Sequence, residues 1–363
     1  MAREKEVKDI IFVTPTNKGS ESQPLLPFRR ILISRTDRLG DVLLSTPVIK
    51  NLRRHMPSAY IAMLVQSQLE DLLRDNPYLD EVILLDKRGK HKNPINLIKF
   101  ILELKNKKFD LALILHPTLR MHVICFLAGI KERMGYDRKF GFLNTKVLNH
   151  QKQLGDRHES LYALDFLKEL GLSDFDQSMH MSTYQESESW AHNLIKDHKA
   201  KGRKIIAVHS QASCRSKIWP KEYFNQLIEE ILSSYRAVII HVGSKADDTI
   251  SKREETVNLT GKTSLAQLAS VLKQSDLFIS NDSGPVHMAV AVGVPVISIF
   301  GRKQPGLGPK RWGPIGDANV YLHKDVGCQV CLAHDCNKSF DCLRSINPKE
   351  VMECVDKFLS GNI

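Results

Sequence analysis

Short apolar runs alternate with amphipathic stretches along most of this chain, the pattern of parallel sheets flanked by helices. In the first half "RILIS", "YIAMLVQ", "EVILLD" and "DLALILH" read as buried strands, each followed by a segment of helical period. The stretch Asn93–Lys107 places Ile95, Leu97, Ile98, Ile101, Leu102 and Leu104 at a spacing that suits one helical face. His158–Leu172 reads as an amphipathic helix stopped by Gly171. The polar run "SDFDQSMHMSTYQESES" then breaks the alternation and reads as a linker. Beyond it the pattern restarts, with strands at "KIIAVHS", "RAVIIHVGS", "DLFISND" and "PVISIFG" and helices at "KEYFNQLIEEILSSY" and "SLAQLASVLKQS". The fold class is therefore α/β, with two doubly wound halves at residues 29–175 and 189–363, a linker at 176–188 and a polar, poorly ordered leader at 1–28. Two such halves leave a crevice facing the carboxyl ends of both sheets.

Composition narrows the partners. The 363 residues are 42% hydrophobic and 26% charged, which suits a globular protein and excludes the disordered class. A formal net charge of +11 points to anionic partners: nucleic acid, an acidic membrane surface or phosphorylated small molecules. The longest apolar stretch, "MAVAVGVPVISIF", is broken by Gly293 and Pro295 and falls short of the roughly 20 residues a membrane span needs. The first residues, "MAREKEVKDIIFV", lack the charged-then-apolar build of a secretory signal, so the expectation is a cytoplasmic protein with reduced thiols.

Three places could carry chemistry. In "SNDSGPVHMAVAVGVPVISIFG" a strand ends at Asn281–Asp282, Ser283 and Gly284 turn the chain, and a helix starts near Pro285. Helix capping explains these residue types. The same geometry also makes a phosphate seat from free N–H groups and the helix dipole, which Gly284 lets an anion approach and His287 could face. In "AVHSQASCRSKIWPKEYF" a strand gives way to a loop with Ser210, Ser213, Ser216 and Lys217 ahead of Pro220. Lys217 there is either a solvated loop lysine or the ammonium that neutralises a diphosphate. Finally, "RRILISRTDRLGDVLLSTP" reads as strand, turn and helix with Asp41 at the joint, and with one glycine where a dinucleotide-binding turn has three. On local sequence alone Asp41 is an ordinary first-turn cap.

Taken together, "RTDRLGDVLLSTPVIKNLR", the Lys217–Trp219–Pro220 pattern and "SNDSGPVHMAVAVGVPVISIFG" resemble glycosyltransferase family 9, the bacterial lipopolysaccharide heptosyltransferases. The resemblance runs from about Arg29 to the C-terminus. It implies a GT-B architecture, two Rossmann-like domains with the active site between them, and inverting transfer of heptose from ADP-heptose to the lipopolysaccharide inner core. It makes Asp41 the general base, whose place at a helix N-terminus should favour its ionised form. Lys217 and Ser213 would hold the donor phosphates, Asp282, Ser283, Gly284 and His287 would form the second donor loop, and Asp247, with Asp248 competing, would accept from the ribose hydroxyls. Basic residues of the first half would receive an anionic acceptor, which nominates Arg120 and Arg133. No metal cofactor is implied.

Four of the seven cysteines, Cys328, Cys331, Cys336 and Cys342, fall in one short segment of the second half, ahead of a C-terminal helix. Their spacing suggests a structural zinc site, with His334 as a substitute ligand, or else loop thiols or a redox-dependent disulfide. The favoured reading is thus an enzyme at the inner face of the cytoplasmic membrane, taking ADP-heptose and a lipopolysaccharide acceptor. A relative using another nucleotide sugar is the runner-up within the class. A basic nucleic-acid-binding protein is the alternative outside it, and no nucleic-acid signature supports that.

Overall fold

The computed structural model describes residues 28–247 and 253–361, so residues 1–27 of the leader and Asp248 lie outside the described residues. The first half carries strands β1 (Arg30–Ser34), β2 (Tyr60–Gln66), β3 (Glu81–Leu85), β4 (Leu111–Ile114), β5 (Glu132–Tyr136) and β6 (Lys146–Leu148). Its helices are α1 (Leu39–Leu43), α2 (Thr46–His55), α3 (Pro94–Asn106), α4 (Leu119–Leu127) and α5 (Glu159–Lys168). The strands form one all-parallel sheet in the order β3-β2-β1-β4-β5-β6. The second half has helices α6 (Gln185–Ala200), α7 (Lys221–Ser234), α8 (Leu265–Lys273), α9 (Gly284–Val292), α10 (Pro309–Trp312), α11 (Asp341–Arg344) and α12 (Pro348–Leu359). Its strands are β7 (Lys204–His209), β8 (Ala237–His241), β9 (Thr256–Asn258), β10 (Leu277–Asn281), β11 (Val296–Phe300) and β12 (Asn319–His323), again all parallel, in the order β12-β11-β10-β7-β8-β9.

Both sheets therefore have the same winding: chain direction across the sheet reverses between β1 and β4 in one half and between β7 and β10 in the other. Ligands of open parallel sheets bind in the crevice that such a reversal leaves at the carboxyl ends of the strands. The segments after β1, β4, β7 and β10 are the ones that carry Asp41, Arg120, Lys217 and Gly284.

Period-2 alternation sorts side chains to the two faces of each sheet. Ile31 and Ile33 join one apolar cluster while Leu32, between them, joins another under α3 and α4. Likewise Ile205 and Ala207 face one way, and Ile206 and Val208 face α7 and α12. The middle cluster is continuous from Ile31 and Val42 in the first half to Val286 and Met288 in the second.

Two sequence expectations change here. The linker ends earlier than 188, since α6 begins at Gln185 and packs on α8. Nor is it loose: Met179 and Met181 are buried, and the Asn51 amide donates to the Asp176 carbonyl at 2.7 Å. The α3 segment presents two apolar faces rather than one. Phe100, Ile101 and Leu104 pack inward, while Ile95, Ile98 and Leu102 are exposed. Among the described residues no helix is long and apolar enough to cross a membrane.

Candidate active site between the two halves

Asp41 is the third residue of α1, a helix whose N-cap residue, Arg38, makes no side-chain cap. The Asp41 carboxylate does not cap either. Its Oδ1 accepts from Arg35 Nη2 at 2.6 Å, and among the described residues Oδ2 accepts no hydrogen bond. Arg35 is buried and also bonds Asp37 at 2.9 Å and Glu159 at 3.1 Å, leaving its Nη1 buried without a partner. Burial pulls the Asp41 carboxyl above the usual aspartate range; Arg35 opposes the shift, and Asp37 and Glu159 add to it. This corrects the expectation that the helix N-terminus sets its charge state. Desolvation outweighs the pull of Arg35, and the result is a better proton acceptor than an exposed aspartate.

Glu159 anchors the network behind Asp41. It is buried, and burial alone would raise its carboxyl, but Lys152 at 2.6 Å, Arg35, and Arg311 at 2.7 Å outweigh this and hold it well below the usual range. Arg311 belongs to α10, so this ion cluster joins the two halves. Nearby, His116 lies within electrostatic reach of Arg35, Asp41, Lys87 and Lys139, and burial foremost lowers it to about 4. It is neutral at physiological pH, with Nδ1 unpartnered.

On the donor side Lys217 Nζ lies 3.0 Å from Asp282 Oδ2, and Arg302 Nη2 lies 2.8 Å from the same oxygen. The Asp282 carboxylate therefore collects two cations after β10. A carboxylate repels phosphate, so Asp282 meets a diphosphate only through the two cations that it positions. Asn281 fixes the Lys217 loop: its side chain accepts from the Trp219 amide at 3.0 Å and donates to the Ser210 carbonyl at 2.7 Å. Trp219 is fully buried and donates to the Ile346 carbonyl. Ser283 occupies the N-cap position of α9 without capping it, because its hydroxyl is taken by Ser280 at 3.0 Å and His209 at 3.2 Å. The capping explanation for this serine thus fails, and the first-turn N–H groups of α9 are left without a side-chain cap.

The two half-sites meet where α1 packs on α9. A Cβ placed on Gly40 would sit 2.8 Å from the His287 ring and 3.6 Å from the Gly284 Cα, and one on Gly284 would sit 3.0 Å from Leu39. This is why a single glycine suffices in the first turn: it serves close packing of the two halves. His287 is buried in that contact and is lowered to about 3, chiefly by burial. It cannot face a donor as an open side chain, as the sequence suggested, and it acts as a neutral spacer between the halves.

The remaining candidates divide. Arg120 stands in the first turn of α4, after β4, with one 3.5 Å contact to the Lys87 carbonyl; Lys87 itself reaches the Thr36 carbonyl at 2.9 Å. Both lie at the carboxyl edge, as an acceptor site requires. Arg133 does not. It is the second residue of β5, at the amino edge, and its Nε and Nη1 donate to the Leu143, Lys131 and Ile130 carbonyls. Arg133 therefore stands at the edge of the sheet opposite the crevice. Ser213 is exposed on the Lys217 loop, and Asp247 follows β8 with Lys221 at 3.0 Å.

Cys328, Cys331, Cys336 and Cys342 line one cavity of about 30 Å³ together with Ser216 and Arg302, behind the Lys217 loop. His334 Nδ1 bonds Ser216 at 3.3 Å, so the segment braces that loop. Among the described residues, no three His, Cys, Asp or Glu side chains are grouped as metal ligands.

Sequence reasoning missed Arg35, Glu159, Lys152, Arg302, Arg311, Asn281, Lys87 and His116. A signal existed for two of them: Arg35 opens the "RTDRLGD" motif, and Arg302 follows β11 at the same edge as the other site residues. Glu159 gave none, since two of its three partners, Arg35 and Arg311, lie far away in the chain.

Comparison with known proteins supplies the family. The family model for glycosyltransferase family 9 (heptosyltransferase) matches residues 97–340. Lipopolysaccharide heptosyltransferase 3 of Escherichia coli (strain K12) is 31% identical over 337 residues, 88% of this chain and 95% of that protein. The glycosyl transferase family 9 structure from Veillonella parvula DSM 2008 superposes with a TM-score of 0.80 at 24% identity, covering 94% of this chain and 100% of its own. E. coli ADP-heptose lps heptosyltransferase II superposes at 0.72 and 19% identity, over 92% and 99%. The architecture is GT-B, two Rossmann-like domains about one crevice. A match across both halves, with the half-sites joined where α1 meets α9, shows that this chain belongs to glycosyltransferase family 9 (heptosyltransferase) and is a glycosyl-transferring enzyme.

Proposed function

We propose that the protein moves a heptose from ADP-L-glycero-D-manno-heptose to the lipopolysaccharide inner core, either Kdo-lipid A or a core heptose, with inversion. The observation that carries this is the pairing of Asp41, with Oδ2 available and its carboxyl raised by burial, with the Lys217–Arg302 cation pair beside the uncapped start of α9. The relatives supply the sugar and the acceptor class: an E. coli relative is a lipopolysaccharide heptosyltransferase, and a structural neighbour takes its name from ADP-heptose.

In a single displacement the acceptor hydroxyl attacks the anomeric carbon from one face as the bond to the diphosphate breaks on the other. Asp41 Oδ2 takes the hydroxyl proton, while Arg35 holds Oδ1 and fixes the carboxylate plane. The departing ADP gains negative charge beside Lys217, Arg302 and the α9 N-terminus, which stabilise it without a metal ion. Asp247 is the acceptor for ribose hydroxyls, and Ser213 adds a hydroxyl at the phosphates. Arg120, with Lys87 beside it, receives the anionic groups of the acceptor. Such work places the protein in the cytoplasm, at the inner membrane face.

The test incubates purified protein with ADP-heptose and a panel of truncated lipopolysaccharide acceptors, then reads product mass and anomeric configuration. A heptose-sized increase with inverted configuration is expected. Transfer only from another nucleotide sugar would replace the donor, and retained configuration would remove Asp41 from its role. Absence of any transfer, with steeply salt-dependent nucleic-acid binding, would replace the class.

A further inference from the structure

We propose that the first half docks on an anionic lipid surface through the outer faces of α3 and α4 and the turn at Gly141–Leu143. This rests on the acceptor being a membrane glycolipid. It adds the surface that would bring the crevice to it. The first observation is an apolar stripe that the core does not use. Ile95, Ile98 and Leu102 recur at helical spacing on the outside of α3 and are 63%, 57% and 52% exposed. Phe100, Ile101 and Leu104 already supply the helix's inward packing. Packed beside α3, α4 exposes Leu119 and Phe126, and the neighbouring turn exposes Phe142 at 74%.

Charge supplies the second observation. Residues 86–108 and 119–146 hold fourteen Lys and Arg against four Asp and Glu, so nearly all of the chain's net +11 sits on these two segments. Lys92, Lys99, Lys105, Lys108, Lys131 and Lys139 are exposed around the stripe. Exposed aliphatic and aromatic side chains ringed by lysines match an anionic bilayer interface, where apolar groups enter the acyl boundary and the rim meets the headgroups. A second copy of this chain fits poorly, because a two-fold contact would set the basic rim against itself.

Position is the third. α3 and α4 each follow a strand of the parallel sheet, so their first turns, with Ile95 and Leu119, lie at the carboxyl edge beside Arg120. Docking there turns the acceptor side of the crevice toward the bilayer.

The experiment sediments the full chain with phosphatidylcholine vesicles, with and without phosphatidylglycerol, and measures transfer to a water-soluble truncated acceptor in parallel. Binding is expected only with phosphatidylglycerol, weakening as salt rises. The double variants Ile98→Glu/Leu102→Glu and Lys92→Glu/Lys99→Glu should each weaken it about tenfold or more, with unchanged melting and soluble-acceptor turnover. Wild-type protein that ignores anionic vesicles, or variants that bind them like wild type, would overturn the proposal. So would a dimer in sedimentation that Ile98→Glu dissociates, or nucleic acid competing the vesicles off at equal charge. Vesicle binding that falls as expected in a protein that transfers no heptose would uphold the surface and sink the transfer reading instead.

Discussion

Asp41 and Lys217 divide the reaction between proton and leaving group, and single substitutions separate their contributions. Asp41→Asn keeps the size and the hydrogen bond from Arg35 but cannot take a proton. The turnover number is expected to fall about 10²–10⁴-fold, with ADP affinity little changed, in steady-state kinetics alongside ADP calorimetry. Because burial raises the Asp41 carboxyl, wild-type turnover should fall as pH drops through a value above the ~4 of a free aspartate. A flat acid limb down to that value would remove Asp41 as the titrating base. Lys217→Ala removes one of the two cations on Asp282 and should weaken ADP binding while melting stays within about 1 kcal/mol of wild type. An unchanged ADP dissociation constant would place the phosphates elsewhere.

Between elements, the contact of α1 with α9 decides whether the two half-sites face each other. In an ordinary helix Gly→Ala stabilises by up to about 1 kcal/mol. At Gly40 the added methyl would meet the buried His287 ring, so Gly40→Ala should instead cost about 1–3 kcal/mol and lower turnover more than it weakens ADP binding. A stabilised, fully active variant in paired melting and kinetic assays would show that the halves do not need this approach. Much of this level was legible in advance. The strands around the two reversals carry buried apolar runs of Ile, Leu, Val, Ala and Phe, and they stand where the pattern put them. β5, "ERMGY", and β12, "NVYLH", are only partly apolar, and β6 and β9 have three residues each, so the apolar pattern does not show them. α3 was legible as a helix, yet periodicity alone could not say that its second apolar face meets solvent. Arg133 was misplaced because a basic residue near a strand does not reveal which end of it the residue occupies.

At the scale of the whole molecule, Glu159 was invisible in the sequence, since its value comes from Arg35 and Arg311, distant in the chain and on different halves. It is held ionised against burial, so it adds stability above the ordinary glutamate pKa that is lost as pH falls through its lower folded value. Glu159→Gln leaves buried Lys152 and half-buried Arg311 without their carboxylate and takes one of three carboxylates from Arg35, and should cost about 3–5 kcal/mol in urea unfolding at neutral pH. A loss under 1 kcal/mol would mean the cations find other partners. The middle apolar cluster, running unbroken from the first sheet to the second, has a consequence for cooperativity. Neither half can melt without stripping the other's buried face. Calorimetry should therefore record one transition whose van't Hoff and measured enthalpies agree, unusual behaviour for a chain with two complete sheets. Two resolved transitions would instead make the halves independent bodies that touch only at the substrate.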